Sequence, residues 1–77
     1  MSVKVYSTPS CGYCNMLKSY LRERNVKFTD YNVASDQRKA EEMVHKSHQM
    51  GVPVIDINGK IIVGFDRSKI DRLLSAA

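Results

Sequence analysis

Two residues separate Cys11 from Cys14, the only cysteines of the chain, in the stretch Thr8-Pro9-Ser10-Cys11-Gly12-Tyr13-Cys14. A thiolate, not a thiol, attacks a disulfide, and a free cysteine with a pKa of about 8.5 is mostly protonated at neutral pH. The spacing addresses that problem. An alternating apolar run, Val3 and Val5, precedes the motif, and Leu17 and Leu21 follow it at helical spacing. Cys11 therefore falls where a helix begins, and the unpaired N–H groups and positive dipole end found there stabilise an anion. Cys14 comes one turn later, so its sulfur can return to that of Cys11. Residues three apart on a helix have Cβ atoms about 5–6 Å apart. A disulfide needs roughly 3.5–4.5 Å, so the first turn must adjust slightly. The pattern assigns Cys11 as the attacking thiolate and Cys14 as the resolving thiol. Gly12 leaves backbone room beside the sulfur, and Tyr13 sets a ring at the rim. Such a pair at a strand-to-helix junction reads as a dithiol redox motif rather than a metal clip.

The rest of the chain must position those sulfurs. Its 77 residues make one domain, residues 1–77. A chain this short buries little more than ~60% of its unfolded surface, so the core is small. Hydrophobic content of 43% and charged content of 26% are ordinary for a globular domain. Two cysteines cannot build the dense disulfide scaffold of a small secreted protein. Met1-Ser2-Val3-Lys4 lacks the apolar core of a signal peptide. Ile61 to Phe65 is too short to span a membrane. The expected compartment is the cytoplasm, where a cysteine pair is catalytic more often than structural.

The expected order of elements is βαβαββα. Residues 2–6 read as a strand, with Val3 and Val5 on one face and Lys4 and Tyr6 on the other. Ser10 is the expected cap of a helix running from Gly12 to about Arg24, with Cys14, Leu17 and Leu21 inward. Asn25 offers a left-handed stop. Residues 27–33 form a second strand, parallel to the first by a right-handed crossover. Ser35 and Asp36 open a second helix over about 36–48, with Ala40, Met43 and Val44 inward and Gly51 closing it. Val52 to Ile57 and Lys60 to Val63 are strands joined by Asn58-Gly59, a type I′ hairpin signal. Asp66 caps a last helix, roughly 67–75, that buries Ile70, Leu73 and Leu74.

Two other chemistries compete. Cys11, Cys14, His45 and His48 can be written as a Cys2His2 zinc set, but 30 residues separate Cys14 from His45, against about twelve in a finger. The two histidines are expected at the surface of the second helix. The net charge of +4 includes Lys18, Arg22, Arg24 and Lys27 around the first helix. Such a run could dock nucleic acid or an acidic protein. It reads better as a solvated helix face, as charge runs usually are. No nucleic-acid, membrane or resident-metal role is expected.

Thr8-Pro9-Ser10-Cys11-Gly12-Tyr13-Cys14, Gly51-Val52-Pro53 and Gly64-Phe65-Asp66 fall in the order and spacing of a glutaredoxin, and the resemblance runs from Val3 to Leu74. It implies a thioredoxin fold, a four-stranded mixed sheet flanked by three helices. It implies a cis Val52–Pro53 bond, Val52 backbone groups that pair with a bound peptide or glutathione, and N–H groups near Phe65 and Asp66 that receive the γ-glutamyl carboxylate. A helix N-terminus suits that anion. Tyr13 would line the glycine end of the groove, and Gly64 would belong, with Val52, Pro53, Phe65 and Asp66, to the substrate- or glutathione-binding positions.

The implied activity is thiol–disulfide oxidoreduction by a monomer. Its substrates are disulfide-containing or glutathionylated proteins, and its electrons come from glutathione or a thioredoxin-type reductase. No tightly bound cofactor is implied. The alternative is a [2Fe–2S] cluster bridged between two subunits, which Gly12 keeps open. The chain departs from the family pattern at Gly12 (usually Pro), Thr8 (usually Lys or Arg), Gly51 (usually Thr), Val63 (usually Gly) and Arg67 (usually acidic). Thr8 and Arg67 remove two polar contacts to glutathione, of a kind worth about 1.5–3 kcal/mol each when charge-assisted.

Overall fold

The computed structural model describes residues 1–76. Along the chain run β1 (Val3–Ser7), α1 (Gly12–Glu23), β2 (Thr29–Asn32), α2 (Gln37–Ser47), β3 (Val54–Ile57), β4 (Lys60–Val63) and α3 (Arg67–Ala76). This is the βαβαββα order that the apolar periodicity indicates. The strands form one mixed sheet in the order β2-β1-β3-β4. β1 pairs parallel with β2, β1 and β3 are antiparallel, and β3 and β4 form the antiparallel hairpin.

Alternation along the strands divides the core in two. On one face Val3, Val5, Ile55, Ile57 and Ile62 pack against Leu17, Tyr20 and Leu21 of α1 and Ile70 of α3. On the other, Tyr6 and Val54 pack against Met43 of α2. β1 and β3 are thus covered on both sides, and Tyr6 is as fully buried as Val5. Leu17 and Leu21 have no exposed surface. Truncating either to Ala costs about 2–5 kcal/mol, the range for a buried leucine.

The structure departs from the sequence reading at the ends of β2, α2 and β3 and at one side chain, Val44. β2 is shorter than residues 27–33, because Val26 and Phe28 turn inward onto the α1 face instead of joining the sheet. Asp36 caps α2 by accepting the Lys39 N–H at 3.1 Å. That helix ends at left-handed His48, φ 59°, whose N–H bonds to Val44 O, so Gly51 lies three residues past the stop. Val44, expected inside, is exposed: α2 buries a narrow stripe centred on Met43, and Val44 lies one step around the helix. β3 begins at Val54 and not at Val52.

Other local signals hold. Asn25 is left-handed, with φ 58°. Asn58 and Gly59 both have positive φ, as a type I′ turn requires. Asp66 caps α3 by accepting the Lys69 N–H at 3.1 Å. Among the described residues, no helix is long and apolar enough to cross a membrane.

Candidate active site

β1 delivers the chain to the edge of α1 through the loop Thr8-Pro9-Ser10, in which Pro9 and Ser10 are exposed. Cys11 N–H donates to Thr8 O at 3.3 Å, which closes the turn. Ser10 is not the cap. Cys11 is, with extended backbone (φ −89°, ψ 113°), and its sulfur accepts the N–H of Cys14 at 3.1 Å. The sequence reading missed this because sulfur is a weak acceptor and Ser10 is the stronger cap type. Cys11 and Cys14 are joined as a disulfide with Cα atoms 5.2 Å apart.

The two sulfurs meet different surroundings. Cys11 is half-buried at the rim, whereas Cys14 has no exposed surface. An attack from solvent therefore reaches Cys11 first. A Cβ placed on Gly12 would meet nothing within 4 Å, so the approach over that residue is open. Tyr13 is 67% exposed and Met16 53%, which sets an apolar rim beside Cys11.

Three separate stretches converge here. The Cys11 sulfur lies 4.0 Å from the carbonyl oxygen of Val52. The Val52–Pro53 bond is cis, and Pro53 is buried. The Pro53 carbonyl accepts the Gly64 N–H at 2.8 Å, which ties the start of α3 to the same end of the sheet. Gly64 holds φ 83°, a left-handed value that bends β4 towards α3. Phe65 packs against Tyr20 with ring centroids 5.7 Å apart, and the Arg67 guanidinium lies 4.8 Å above the Tyr20 ring. An open groove of about 380 Å³ runs beside α1, lined by Asn15, Met16, Ser19, Glu23, Phe65 and Arg67 among others. Tyr13 and Met16 line the neighbouring hollow next to Gly12, so the rim of Cys11 continues into that groove. Cys11, Cys14, Val52, Pro53 and Gly64 are brought together directly. Tyr13 stands on the α1 side, and Phe65 and Asp66 stand at the α3 side.

The basic residues around α1 do not form one patch. Lys18 pairs with Asp30 at 2.9 Å. Arg24 pairs with Asp71. The Arg22 guanidinium sits 5.6 Å from the Phe28 ring centroid. His45 lies on α2 and His48 caps its end, across the sheet from the cysteines, and both are exposed. Among the described residues, no group of three His, Cys, Asp or Glu side chains is placed to hold a metal ion. Sequence reasoning missed one cluster. Ser7 Oγ donates to Asp30 Oδ1 at 2.7 Å, and Lys18 Nζ reaches both Asp30 Oδ2 and, at 3.4 Å, Ser7 Oγ. Its signal was the four-residue step from Cys14 to Lys18, which puts both on one helix face.

The glutaredoxin family model matches residues 3–62. A glutaredoxin-like 8.6 kDa protein of the rubredoxin operon of Clostridium pasteurianum is 51% identical over 72 residues, covering 94% of this chain and 96% of that protein. Glutaredoxin 3 of Escherichia coli K12 is 32% identical over 65 residues, covering 84% and 78%. Among solved structures, the glutaredoxin-like NrdH-redoxin of Escherichia coli superimposes with a TM-score of 0.85 at 25% identity, covering 95% of each chain. The architecture is a thioredoxin-like redox fold with a close cysteine pair.

Proposed function

The chain belongs to the glutaredoxin family, and from that premise we propose that it is a dithiol–disulfide oxidoreductase with Cys11 as nucleophile and Cys14 as resolving thiol. One observation carries the reading: a half-buried Cys11 sulfur caps α1 and a buried Cys14 sulfur sits behind it. In the reduced protein the Cys11 thiolate attacks one sulfur of a substrate disulfide. The substrate S–S bond breaks, one substrate sulfur leaves as a thiolate and the other joins Cys11. The Cys14 thiolate then attacks Cys11 Sγ, and the second substrate sulfur leaves. The substrate gains two electrons, and the protein ends as the Cys11–Cys14 disulfide. Two molecules of glutathione, or a reductase, restore the dithiol.

The groove around the pair suits an extended substrate segment. The Val52 carbonyl beside Cys11 offers it a backbone acceptor, and the Tyr13 and Met16 rim offers apolar contact. The start of α3 offers N–H groups to a carboxylate, which supports a γ-glutamyl contact at Phe65 and Asp66. Thr8 and Arg67, in place of the family's usual basic and acidic residues, remove two other polar contacts to glutathione. Electron supply by a thioredoxin-type reductase is therefore the favoured route. The likeness to NrdH-redoxin, whose structure was described for its thioredoxin-like activity profile, supports it.

The test is insulin or small-disulfide reduction driven by NADPH, with either thioredoxin reductase or glutathione plus glutathione reductase. The expected result is faster turnover with thioredoxin reductase. Turnover with neither source defeats the oxidoreductase reading, and turnover with glutathione alone reverses the choice of reductant.

A further inference from the structure

Cys14 must become a thiolate before it can resolve a mixed disulfide, yet its side chain has no exposed surface. Burial in low dielectric works against that charge. The cation closest along α1 is Lys18, four residues on. Side chains at that spacing share a helix face with Cβ atoms about 5–6 Å apart. Helical side chains lean towards the N-terminus, so the Lys18 stem runs back towards the turn that carries Cys14. Its ammonium does not swing out to water: the side chain is only 14% exposed and is held by Asp30 Oδ2 at 2.9 Å and Ser7 Oγ at 3.4 Å. Ser7 is 2% exposed, shares the α1 face of β1 with Val3 and Val5, and is the last strand residue before the Thr8–Cys11 loop.

We propose that Lys18, fixed by Asp30 and Ser7 beneath the first turns of α1, is a positioning residue that sets the acidity of Cys14 and so the rate of the resolving step. The inference rests on the oxidoreductase reading above. Lys18 transfers no proton and no electron. The Cys14 proton leaves to solvent, the Cys14 sulfur bonds to Cys11 Sγ, and the Cys11–substrate S–S bond breaks to release a substrate thiolate. The ammonium stabilises the Cys14 thiolate, and the Asp30 carboxylate offsets part of that charge. Of the other charged groups on this side of the sheet, Arg22 lies over the Phe28 ring, Glu23 is exposed at the end of α1, Arg24, Arg67 and Asp71 surround Tyr20, and Asp66 and Lys69 pair at the start of α3. Tyr6, Glu42, Lys46 and Asp56 lie across the sheet.

The two members of the ion pair should therefore shift Cys14 in opposite directions, which a merely structural tie would not do. In a Cys11→Ser background, the Cys14 thiolate is titrated by its ultraviolet absorbance. Lys18→Met is expected to raise the Cys14 pKa by roughly one unit, Lys18→Arg to restore most of it, and Asp30→Asn to lower it. In proteins with both cysteines, the rate at which Cys14 expels thionitrobenzoate from Cys11 should fall about threefold in Lys18→Met at neutral pH. The loss is less than tenfold because a more basic thiolate is a better nucleophile. Lys18→Met and Asp30→Asn shifting Cys14 the same way overturns the proposal. If Lys18→Met does not fold, an unmoved Cys14 in Asp30→Asn overturns it alone. Neither readout uses a reductase, so inactivity in the NADPH assays counts against the oxidoreductase reading and not against this one.

Discussion

The N–H of Cys14 points at the sulfur of Cys11 across 3.1 Å, the contact that a serine or aspartate oxygen makes at an ordinary helix N-cap. A negative sulfur accepts that hydrogen bond more strongly than a neutral one, and the first-turn N–H groups add their partial charges. In the reduced, folded protein, the pH midpoint for alkylation of Cys11 by iodoacetamide should lie at least about one unit below the free-cysteine value near 8.5. Unfolding in denaturant should return it to that value. A folded-state midpoint near 8.5 would show that the cap does not hold the thiolate.

The exposures of the two sulfurs predict unequal variants. Cys11 reaches the rim and Cys14 is sealed behind it. Cys11→Ser should abolish reduction of protein disulfides and removal of glutathione from glutathionylated protein. Cys14→Ser should lose the first activity and keep part of the second, because glutathione can itself clear a Cys11 mixed disulfide. Retained activity in Cys11→Ser with a dead Cys14→Ser would reverse the roles.

The sequence carried whatever depends on neighbours along the chain. Leu17 and Leu21 marked α1, Asp36 and Asp66 announced their caps, and Asn58-Gly59 announced the hairpin. These signals work because a turn or a cap is closed by residues within four positions of one another. The misses have the other character. Phe28 left the second strand because α1 offered it a core to pack on. Val44 is a good apolar residue on a helix with room to bury only a narrow stripe. Lys18 looked like one of several solvated cations until Asp30, twelve residues away, was folded against it. At the site, the motif located Cys11, Val52 and Gly64, but only the fold shows that the Pro53 carbonyl links the last two stretches.

Across the sheet, a polar cluster predicts how stability varies with pH. The Tyr6 hydroxyl bonds to Glu42 and lies 2.8 Å from Lys46 Nζ, which also reaches Asp56 Oδ2 at 2.8 Å. Burial, then the bond to Glu42, push the Tyr6 phenol up to about 12. The Tyr6 bond, offset in part by burial, lowers Glu42. For Lys46, burial acts against the charge, but the bonds to Asp56 and Tyr6 outweigh it and raise the pKa. The raised Tyr6 favours the folded state fully below its unfolded value near 10, and that contribution is lost as pH rises towards 12. The lowered Glu42 contributes above the ordinary carboxylate range and is lost as pH falls through it. Urea unfolding across pH should show stability declining above about pH 10, and Tyr6→Phe should flatten that limb. In phenolate absorbance, one of the four tyrosines should titrate last. An alkaline limb unchanged by Tyr6→Phe would assign the decline to other groups.

Gly59 offers a test of the fold that leaves the sulfurs alone. It holds φ 90° at the tip of the β3–β4 hairpin, and a Cβ there would touch nothing within 4 Å. The cost of Gly59→Ala is therefore a backbone cost, not a clash with neighbours. Left-handed backbone costs a residue with a Cβ roughly 1–2 kcal/mol. The turn also anchors the chain start: Asn58 N–H donates to Ser2 O at 2.8 Å, and Asn58 Oδ1 accepts the Ser2 N–H at 2.7 Å. Straining it loosens both hairpin and β1 entry at the end of the sheet away from the cysteines. Gly59→Ala should lower the thermal midpoint by about 4–16 °C, since each kcal/mol moves a domain of this size by about 4–8 °C. Cys11 acidity should stay within a few tenths of a unit of wild type. A variant as stable as wild type would mean that the hairpin adopts another turn. A shifted Cys11 would mean that strain at the tip reaches the site, along β3 and β4 to Pro53 and Gly64 or through Ser2 and β1 to the Thr8–Cys11 loop.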